Sequence, residues 1–184
     1  MELAELEDRV GIREIAENLQ HKNRRVQGNC IKVLYEIGYL KPELIAPYAD
    51  DFLQLLQSKN NRLVWGSMIA LSTIAKVAPD ALYPHYTKIQ RAMERGSVIT
   101  IDAGVKTLSL IAAANEEYRQ TLLPRLLHHL QTCRPKDVPQ HAEKTAIAVD
   151  AQNPDDLLAI LNARLPELSK AQSRRIKKLI KSFL

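Results

Sequence analysis

The sequence predicts an all-α fold, a right-handed solenoid of about four helical pairs that ends in a C-terminal capping helix. Three observations support this prediction. The 184 residues are rich in Leu, Ile, Ala, Glu, Lys and Arg and contain only 6 Gly and 9 Pro, a composition that favours helices. The chain repeats itself at a period of 37 residues, and apolar residues recur at helical spacing inside each repeat.

The repeat is clearest between residues 11–47 and 48–84, which align without a gap. A third unit, 85–124, has a longer exit loop, and a fourth unit, 125–152, is weaker. Because one helical pair cannot bury both of its apolar stripes, we expect the units to stack around a shared core. With a cap over 153–184, they are predicted to form a single domain over residues 1–184.

Each unit is predicted to contain two helices joined by a short polar link: HKNRR, SKNNR, then ERGS. Asn and Gly in these links favour turns. Apolar spacings of three and four residues mark both helices. The second helices share three apolar columns, Ile31/Met68/Val105, Leu34/Leu71/Leu108 and Ile37/Ile74/Ile111. Beside them runs a column of small residues, Cys30/Ser67/Gly104. Small side chains let helices approach closely, so Cys30 is interpreted as a packing residue.

The C-terminal segment is predicted to close the solenoid. Pro139 suits the start of the second helix of the fourth unit, and Asn153 is predicted to cap the helix that follows. The final helix, about 169–184, has an apolar face formed by Ile176, Leu179, Ile180 and Phe183. The last sixteen residues also carry six bases and no acid, so an exposed helix that binds phosphate or an acidic surface is an alternative. The two interpretations are compatible.

Over about residues 11–150 the pattern resembles the HEAT repeat family. The resemblance rests on the paired helices, the Leu/Ile columns, the polar turns followed by an arginine, and the prolines of the first helices, which are Arg25, Arg62, Pro47, Pro84 and Pro124. The period is shorter than the 40–47 residues usual for HEAT/armadillo units, and the family's acidic turn residue is absent. The resemblance implies that second helices line a concave face and that this face binds partners.

Several classes of protein are not expected. No stretch approaches 18 uncharged apolar residues, so no membrane span is predicted, and the acidic first ten residues lack the apolar core of a secretory signal. Cys30 and Cys133 are too few for a disulfide framework. A reducing, cytoplasmic location is therefore expected.

Neither an enzyme nor a cofactor is predicted, because no nucleotide-binding or hydrolase motif of the GxGxxG, P-loop, GxSxG or HExxH type occurs. A metal site would have to use His129 and Cys133, spaced i, i+4, with His128 or His141. Zinc usually has four ligands, and no second pair has the spacing to complete the set. His128 and His129 are therefore predicted to be surface residues on the first helix of the fourth unit, with no metal site.

Candidate partner-binding residues come from the second helices. Lys32, Lys106 and Lys144 occupy one position in three of the units, so stacking is expected to align them along the concave face. The only tryptophan is predicted to pack against a neighbouring helix. The full set of candidates is Arg25, Lys32, Arg62, Trp65, Asp102, Lys106 and Lys144. A basic row of this kind predicts a partner with acidic groups.

The function predicted from these observations is a non-enzymatic scaffold that binds another protein. One alternative is nucleic-acid binding, since the plan of helical pairs is similar to that of the HEAT-like alkylpurine DNA glycosylases, whose functional motif we do not find in this chain. A second alternative is a subunit or regulator of a modifying enzyme.

Overall fold

The computed structural model describes residues 2–150 and 154–183. Within them it contains helices and turns and no β-strand, which confirms the all-α prediction. The α-helices in chain order are α1 (Glu2–Glu5), α2 (Arg9–Glu17), α3 (Arg24–Leu40), α4 (Ala49–Leu55), α5 (Asn61–Ile74), α6 (Pro79–Leu82), α7 (Tyr86–Arg95), α8 (Val98–Ala112), α9 (Glu116–Thr132), α10 (Val138–Thr145), α11 (Asp155–Arg164) and α12 (Lys170–Lys181). None of the helices described is long and apolar enough to cross a membrane.

The chain divides into two compact units, residues 1–107 and 108–184. The first unit holds the pairs α2/α3 and α4/α5, followed by α7 and the larger part of α8. The second unit holds the end of α8 and helices α9 to α12.

An asparagine side chain caps the N-terminus of the second helix in each of the first two repeats. Asn23 Oδ1 accepts the backbone N–H of Arg25 at 2.8 Å, and Asn60 Oδ1 accepts that of Arg62 at 3.1 Å. Each bond satisfies one of the N–H groups that a helix N-terminus leaves unpaired. The polar turns predicted from the sequence are confirmed.

The apolar columns of the second helices form the core of the first unit. Ile31, Leu34 and Ile37 of α3 are fully buried, as are Met68, Leu71 and Ile74 of α5 and Val105 of α8. Cys30, in the column of small residues, is half-buried. A Cβ atom at Gly104 in the same column would lie 3.0 Å from Met93 Cβ, so the small residue permits close packing there.

The second unit has its own core, around which α9, α10, α11 and α12 pack. Its buried members are Leu127, Leu130, Val138, Ala142, Leu157, Ile160, Leu161 and Ile176. Ile176 comes from α12, and Leu179, Ile180 and Phe183 pack against the same cluster. The final helix therefore covers the core of its unit, as predicted. The cap predicted at Asn153 lies outside the described residues.

One helix boundary differs from the sequence prediction. The fourth unit was predicted over about 125–152, with Pro124 in a first helix. Helix α9 does contain Pro124, but it begins earlier, at Glu116. Asn115 explains the earlier start, because its Oδ1 accepts the backbone N–H of Tyr118 at 2.9 Å. The start of α9 is therefore set by the N-cap at Asn115 and not by Pro124.

Candidate functional site

Three aromatic residues on the second helices of the first unit form a cluster, Tyr35, Tyr39 and Trp65. The ring centroids of Tyr35 and Tyr39 are 6.2 Å apart in an edge-on arrangement, and those of Tyr35 and Trp65 are also 6.2 Å apart. Tyr35 is buried, Trp65 is half-buried and Tyr39 is 56% exposed. The aromatic cluster therefore runs from the core to the surface. Trp65 packs against a neighbouring helix, as predicted.

Cationic side chains lie against this cluster. Lys106 Nζ is 5.7 Å from the ring centroid of Tyr39, within the range of a cation–π interaction. The side chain of Arg62 covers Gly28, since a Cβ atom there would lie 2.8 Å from both Cδ and Nε of Arg62. A larger residue at position 28 would therefore displace the side chain of Arg62.

Both tyrosines keep their phenol protons over a wide range of pH. Burial raises the pKa of Tyr35, and Glu36 raises it further, whereas the charge of Arg62 opposes these effects. Burial likewise raises the pKa of Tyr39, with added contributions from the carboxylates of Glu36 and Asp102. The surface near Tyr39 therefore carries charges of both signs.

The structure brings four of the seven candidate partner-binding residues to this cluster, namely Arg62, Trp65, Asp102 and Lys106. Arg25 and Lys32 are exposed on α3, and no ion pair involving them occurs in the described part of the chain. Lys144 is half-buried on α10 of the second unit. The alignment of Lys32, Lys106 and Lys144 along one face stays a prediction. Within the first unit, Lys106 lies over the ring of Tyr39, whereas Lys32 is exposed.

Sequence reasoning missed Tyr35 and Tyr39. Their spacing of four places them on one side of α3, and Tyr39 lies outside the apolar columns, which could have marked it as a surface residue. No local signal indicates that Lys106, from another repeat, covers its ring.

A basic cleft lies elsewhere in the first unit, between the end of α4, the start of α5 and helix α7. Its volume is about 780 Å³. The basic residues that line it are Lys59, Lys88, Arg91 and Arg95. None of the described residues lining the cleft is acidic, and none of these four bases forms an ion pair with a described carboxylate. Sequence reasoning missed the cleft because its bases come from two separate segments.

The second unit brings together His129 and Cys133 at the end of α9 and His141 on α10. His129 Nε2 and His141 Nδ1 are 3.0 Å apart, and the donor atoms of all three residues lie within 4.8 Å of one another. Of the two histidines predicted to lie on the surface, His128 is exposed as predicted, whereas His129 is half-buried. His141 is only 3% exposed. The three residues are called the His–Cys cluster below.

Burial is the main influence on the protonation of this cluster. Burial lowers the pKa of His129, opposed by the charge of Asp137. Burial raises the pKa of the Cys133 thiol, opposed by the nearby guanidinium of Arg164. Neither Cys133 nor Cys30 forms a disulfide within the described residues.

No protein-family model matches the chain, and no curated protein sequence matches it. Two solved structures are similar in fold. A crystal structure of an engineered protein superposes with a TM-score of 0.69 at 16% identity, covering 94% of this chain and 80% of that chain. A designed armadillo repeat protein superposes with a TM-score of 0.60 at 14% identity, covering 90% and 86%.

The fold is a helical repeat solenoid of the HEAT/armadillo type. The observed helical pairs and the similarity to a designed armadillo repeat protein agree on this point. In such a solenoid, residues from successive second helices lie side by side, and the contact between Tyr35 on α3 and Trp65 on α5 follows from that arrangement.

Proposed function

We propose that this chain is a non-enzymatic, cytoplasmic protein-interaction module whose first unit binds an acidic segment of another protein. The observation that carries the proposal is the aromatic cluster on the second helices, with Lys106 placed over the ring of Tyr39. Tyr39 and its neighbour Leu40 are 56% and 57% exposed. The surface thus presents an aromatic ring, an aliphatic side chain and a cation together.

This combination suits a binding surface. Tyr, Trp and Arg are enriched at interfaces and dominate the residues whose truncation weakens binding most. A tyrosine ring offers a large contact area with few rotatable bonds. The buried Tyr35 supports the exposed Tyr39 from below, so the ring is held in place before a partner arrives.

The charges near the cluster favour an acidic partner. Arg25, Lys32 and Arg62 are exposed on α3 and α5, and Lys106 lies over the cluster itself. Glu36 and Asp102 add negative charge close to Tyr39, so we expect the acidic groups of the partner to contact the cations beside the ring. Complementary charge of this kind acts mainly on the rate of association.

The test uses immobilised wild-type protein, the double variant Tyr39→Ala/Lys106→Glu, and the control Ile147→Ala, which truncates an exposed residue of the second unit. Proteins retained from nuclease-treated lysate by the wild type and the control, but lost by the double variant, are then purified and titrated. We expect the double variant to weaken binding by at least about tenfold, equivalent to about 1.4 kcal/mol. Equal affinity of every retained protein for all three chains would exclude this surface.

Nucleic-acid binding is a second candidate function, supported by the basic cleft. Four unpaired bases around a cleft without acids suit the phosphates of a nucleic-acid backbone. The variant Lys88→Glu/Arg91→Glu tests this function in gel shifts over a range of salt. The control is Lys22→Glu/Lys76→Glu, which changes two exposed bases of the first unit outside the cleft. If the cleft binds two phosphates, its variant should lower the slope of log affinity against log salt by about 2. Absence of any shift at low salt would remove this function.

A third candidate function is that of a subunit or regulator of a modifying enzyme. It uses the same surface around the aromatic cluster and differs from the first function only in the identity of the partner. The capture experiment distinguishes it, because the retained protein would then be an enzyme. Comparing the activity of that enzyme with and without the wild-type chain would separate a regulator from a simple scaffold.

A further inference from the structure

The His–Cys cluster is independent of the proposed binding surface and lies in the second unit. It offers two imidazole nitrogens and one thiol sulfur within 4.8 Å. The cluster is not on the surface, since His141 is buried and Cys133 packs against the core of the unit. Three donors of this type in a confined space form a ligand set that prefers a borderline transition metal over calcium or magnesium.

We propose that His129 Nε2, Cys133 Sγ and His141 Nδ1 bind a zinc ion. Two histidines and a cysteine are among the ligands that zinc prefers in proteins. The fourth ligand is a water molecule or the carboxylate of Asp137, which has to move because it is not among the donor atoms that lie within 4.8 Å of one another. The site links the end of α9 to α10 and contributes to the stability of the second unit.

The observed distances require only small adjustments. Zinc–nitrogen bonds of about 2.0 Å and zinc–sulfur bonds of about 2.3 Å at tetrahedral angles place two nitrogens about 3.3 Å apart and nitrogen and sulfur about 3.5 Å apart. The two nitrogens are 3.0 Å apart, so the rings must separate slightly. The sulfur lies within 4.8 Å of both nitrogens, so it must move closer by up to about 1 Å, which gives up its contact with the Leu130 carbonyl oxygen at 3.7 Å.

The backbone around the cluster is held firmly. Cys133 is the C-cap of α9, and its backbone N–H donates to the carbonyl oxygen of His129 at 2.8 Å. Arg164 Nη2 donates to the carbonyl oxygen of Cys133 at 2.7 Å, and its Nη1 donates to that of Leu130 at 2.6 Å. The last turn of α9 therefore has a fixed position, which preorganises two of the three ligands.

The fourth position has a candidate in the sequence. His129, Cys133, Asp137 and His141 recur at every fourth residue, although the chain turns between α9 and α10. Asp137 is close enough to influence the pKa of both His129 and Cys133. Its Oδ2 accepts the Nε–H of Arg134 at 2.7 Å. That surface ion pair is worth little, so it presents a small barrier to coordination.

Binding changes the protonation of the cluster in a defined way. The two facing nitrogens share a hydrogen bond, so one of them carries a proton when no metal is bound. In the metal complex both facing nitrogens donate a lone pair, and the proton of each neutral ring lies on its other nitrogen. The Cys133 thiol loses its proton to solvent as the zinc–sulfur bond forms.

Zinc and cobalt titrations of the purified chain, reduced with a phosphine that does not bind metal, test the site. We expect one zinc per chain by calorimetry. Cobalt should give the thiolate-to-metal charge-transfer absorption that reports a cobalt–sulfur bond. Zinc should also raise the melting temperature, and a chelator should reverse the increase.

The variants Cys133→Ser and His141→Gln should each weaken zinc binding by at least about 100-fold, since loss of a supporting residue alone costs 10- to 100-fold. The matched controls Cys30→Ser and His128→Gln should bind as the wild type does. Asp137→Asn weakens binding if the carboxylate is the fourth ligand and leaves it unchanged if water is.

The cobalt absorption is measured on the wild type, so this part of the test does not depend on whether the variants fold. The proposal is overturned if the wild type shows no cobalt–sulfur absorption. It is also overturned if folded Cys133→Ser, checked by circular dichroism, binds zinc as tightly as the wild type, or if Cys30→Ser loses binding to the same extent.

Discussion

Arg164 on α11 closes the C-terminal end of α9 through a buried hydrogen bond to Leu130. The Nη1–H donates to the carbonyl oxygen of Leu130 at 2.6 Å, and the same guanidinium donates to the carbonyl oxygens of Gln131 and Cys133, each at 2.7 Å. The last carbonyls of a helix have no donor within the helix, and a cation is favourable at this end of the helix dipole. One side chain therefore completes α9 and fixes α11 against it.

Replacing this side chain should destabilise the second unit. Arg164 is 7% exposed, so Arg164→Met leaves buried carbonyl oxygens without donors. We expect a loss of about 3 kcal/mol in the free energy of unfolding. Arg164→Lys should recover only part of the loss, because an ammonium group cannot donate as a planar fork.

Urea denaturation of the metal-free protein measures this prediction, with Arg174→Met as the control. Arg174 is exposed on α12, so its replacement should change the free energy of unfolding by less than about 0.5 kcal/mol. A change equally small for Arg164→Met would show that water replaces the guanidinium.

The sequence predicted those parts of the molecule that depend on local pattern. The apolar column through Leu34 and Leu71 follows from a helical period, and the cap at Asn23 follows from the preference of asparagine for that position. Both are present in the structure. Such features need no knowledge of which helices become neighbours.

The candidate sites depend on contacts between helices and could not be predicted in the same way. Lys106 lies over Tyr39 because two repeats bring them together, and a periodic pattern does not specify side-chain direction. His141 returns to His129 because the chain turns after Cys133. Nothing in the sequence around Arg164 predicts its burial. The structure shows the backbone carbonyl oxygens that accept hydrogen bonds from its buried guanidinium.

A core substitution in the first unit should show that its stability depends on the repeat interfaces. Leu71 on α5 is completely buried, and α5 packs against both α3 and α4. Leu71→Ala removes buried apolar groups and leaves a cavity, so we expect a cost of about 2–5 kcal/mol in chemical denaturation. Val77→Ala, at an exposed position, is the control. A cost below about 0.5 kcal/mol for Leu71→Ala would contradict the assignment of this column to the core.

The ion pair between Glu7 and Lys41 should make stability depend on pH in the acid range. Lys41 Nζ lies 2.5 Å from Glu7 Oε1, and this hydrogen bond and the charge of Lys41 hold the pKa of Glu7 below its usual value. The unfolded chain then binds a proton more readily than the folded chain does. The stabilisation is therefore present above the usual pKa of a glutamate and is lost as the pH falls through the lower pKa of the folded state.

Denaturation at several pH values, with wild type and Glu7→Gln compared, measures this effect. The stability difference between the two chains should be largest near neutral pH and should disappear in acid. It should also decrease in high salt, because both side chains are accessible to solvent. A difference that does not change with pH would assign the role of Glu7 to packing.

The C-terminal helix α12 should be structural in spite of its basic charge. Its Ile176 is buried in the core of the second unit, with Leu179, Ile180 and Phe183 packed beside it. In addition, Glu143 of α10 accepts two hydrogen bonds from Arg175 of α12, at 2.6 and 2.7 Å. Removing residues 169–184 keeps the ion pair between Arg164 and Glu167, which are 3.0 Å apart. The truncation exposes this core, so we expect aggregation in light scattering and a lower melting temperature. Lys177→Glu/Lys178→Glu changes only exposed charges and should leave both measurements unchanged. If the truncated chain stays monomeric with the melting temperature of the wild type, α12 is a separate recognition element, and its six bases become the main candidate for binding an acidic surface.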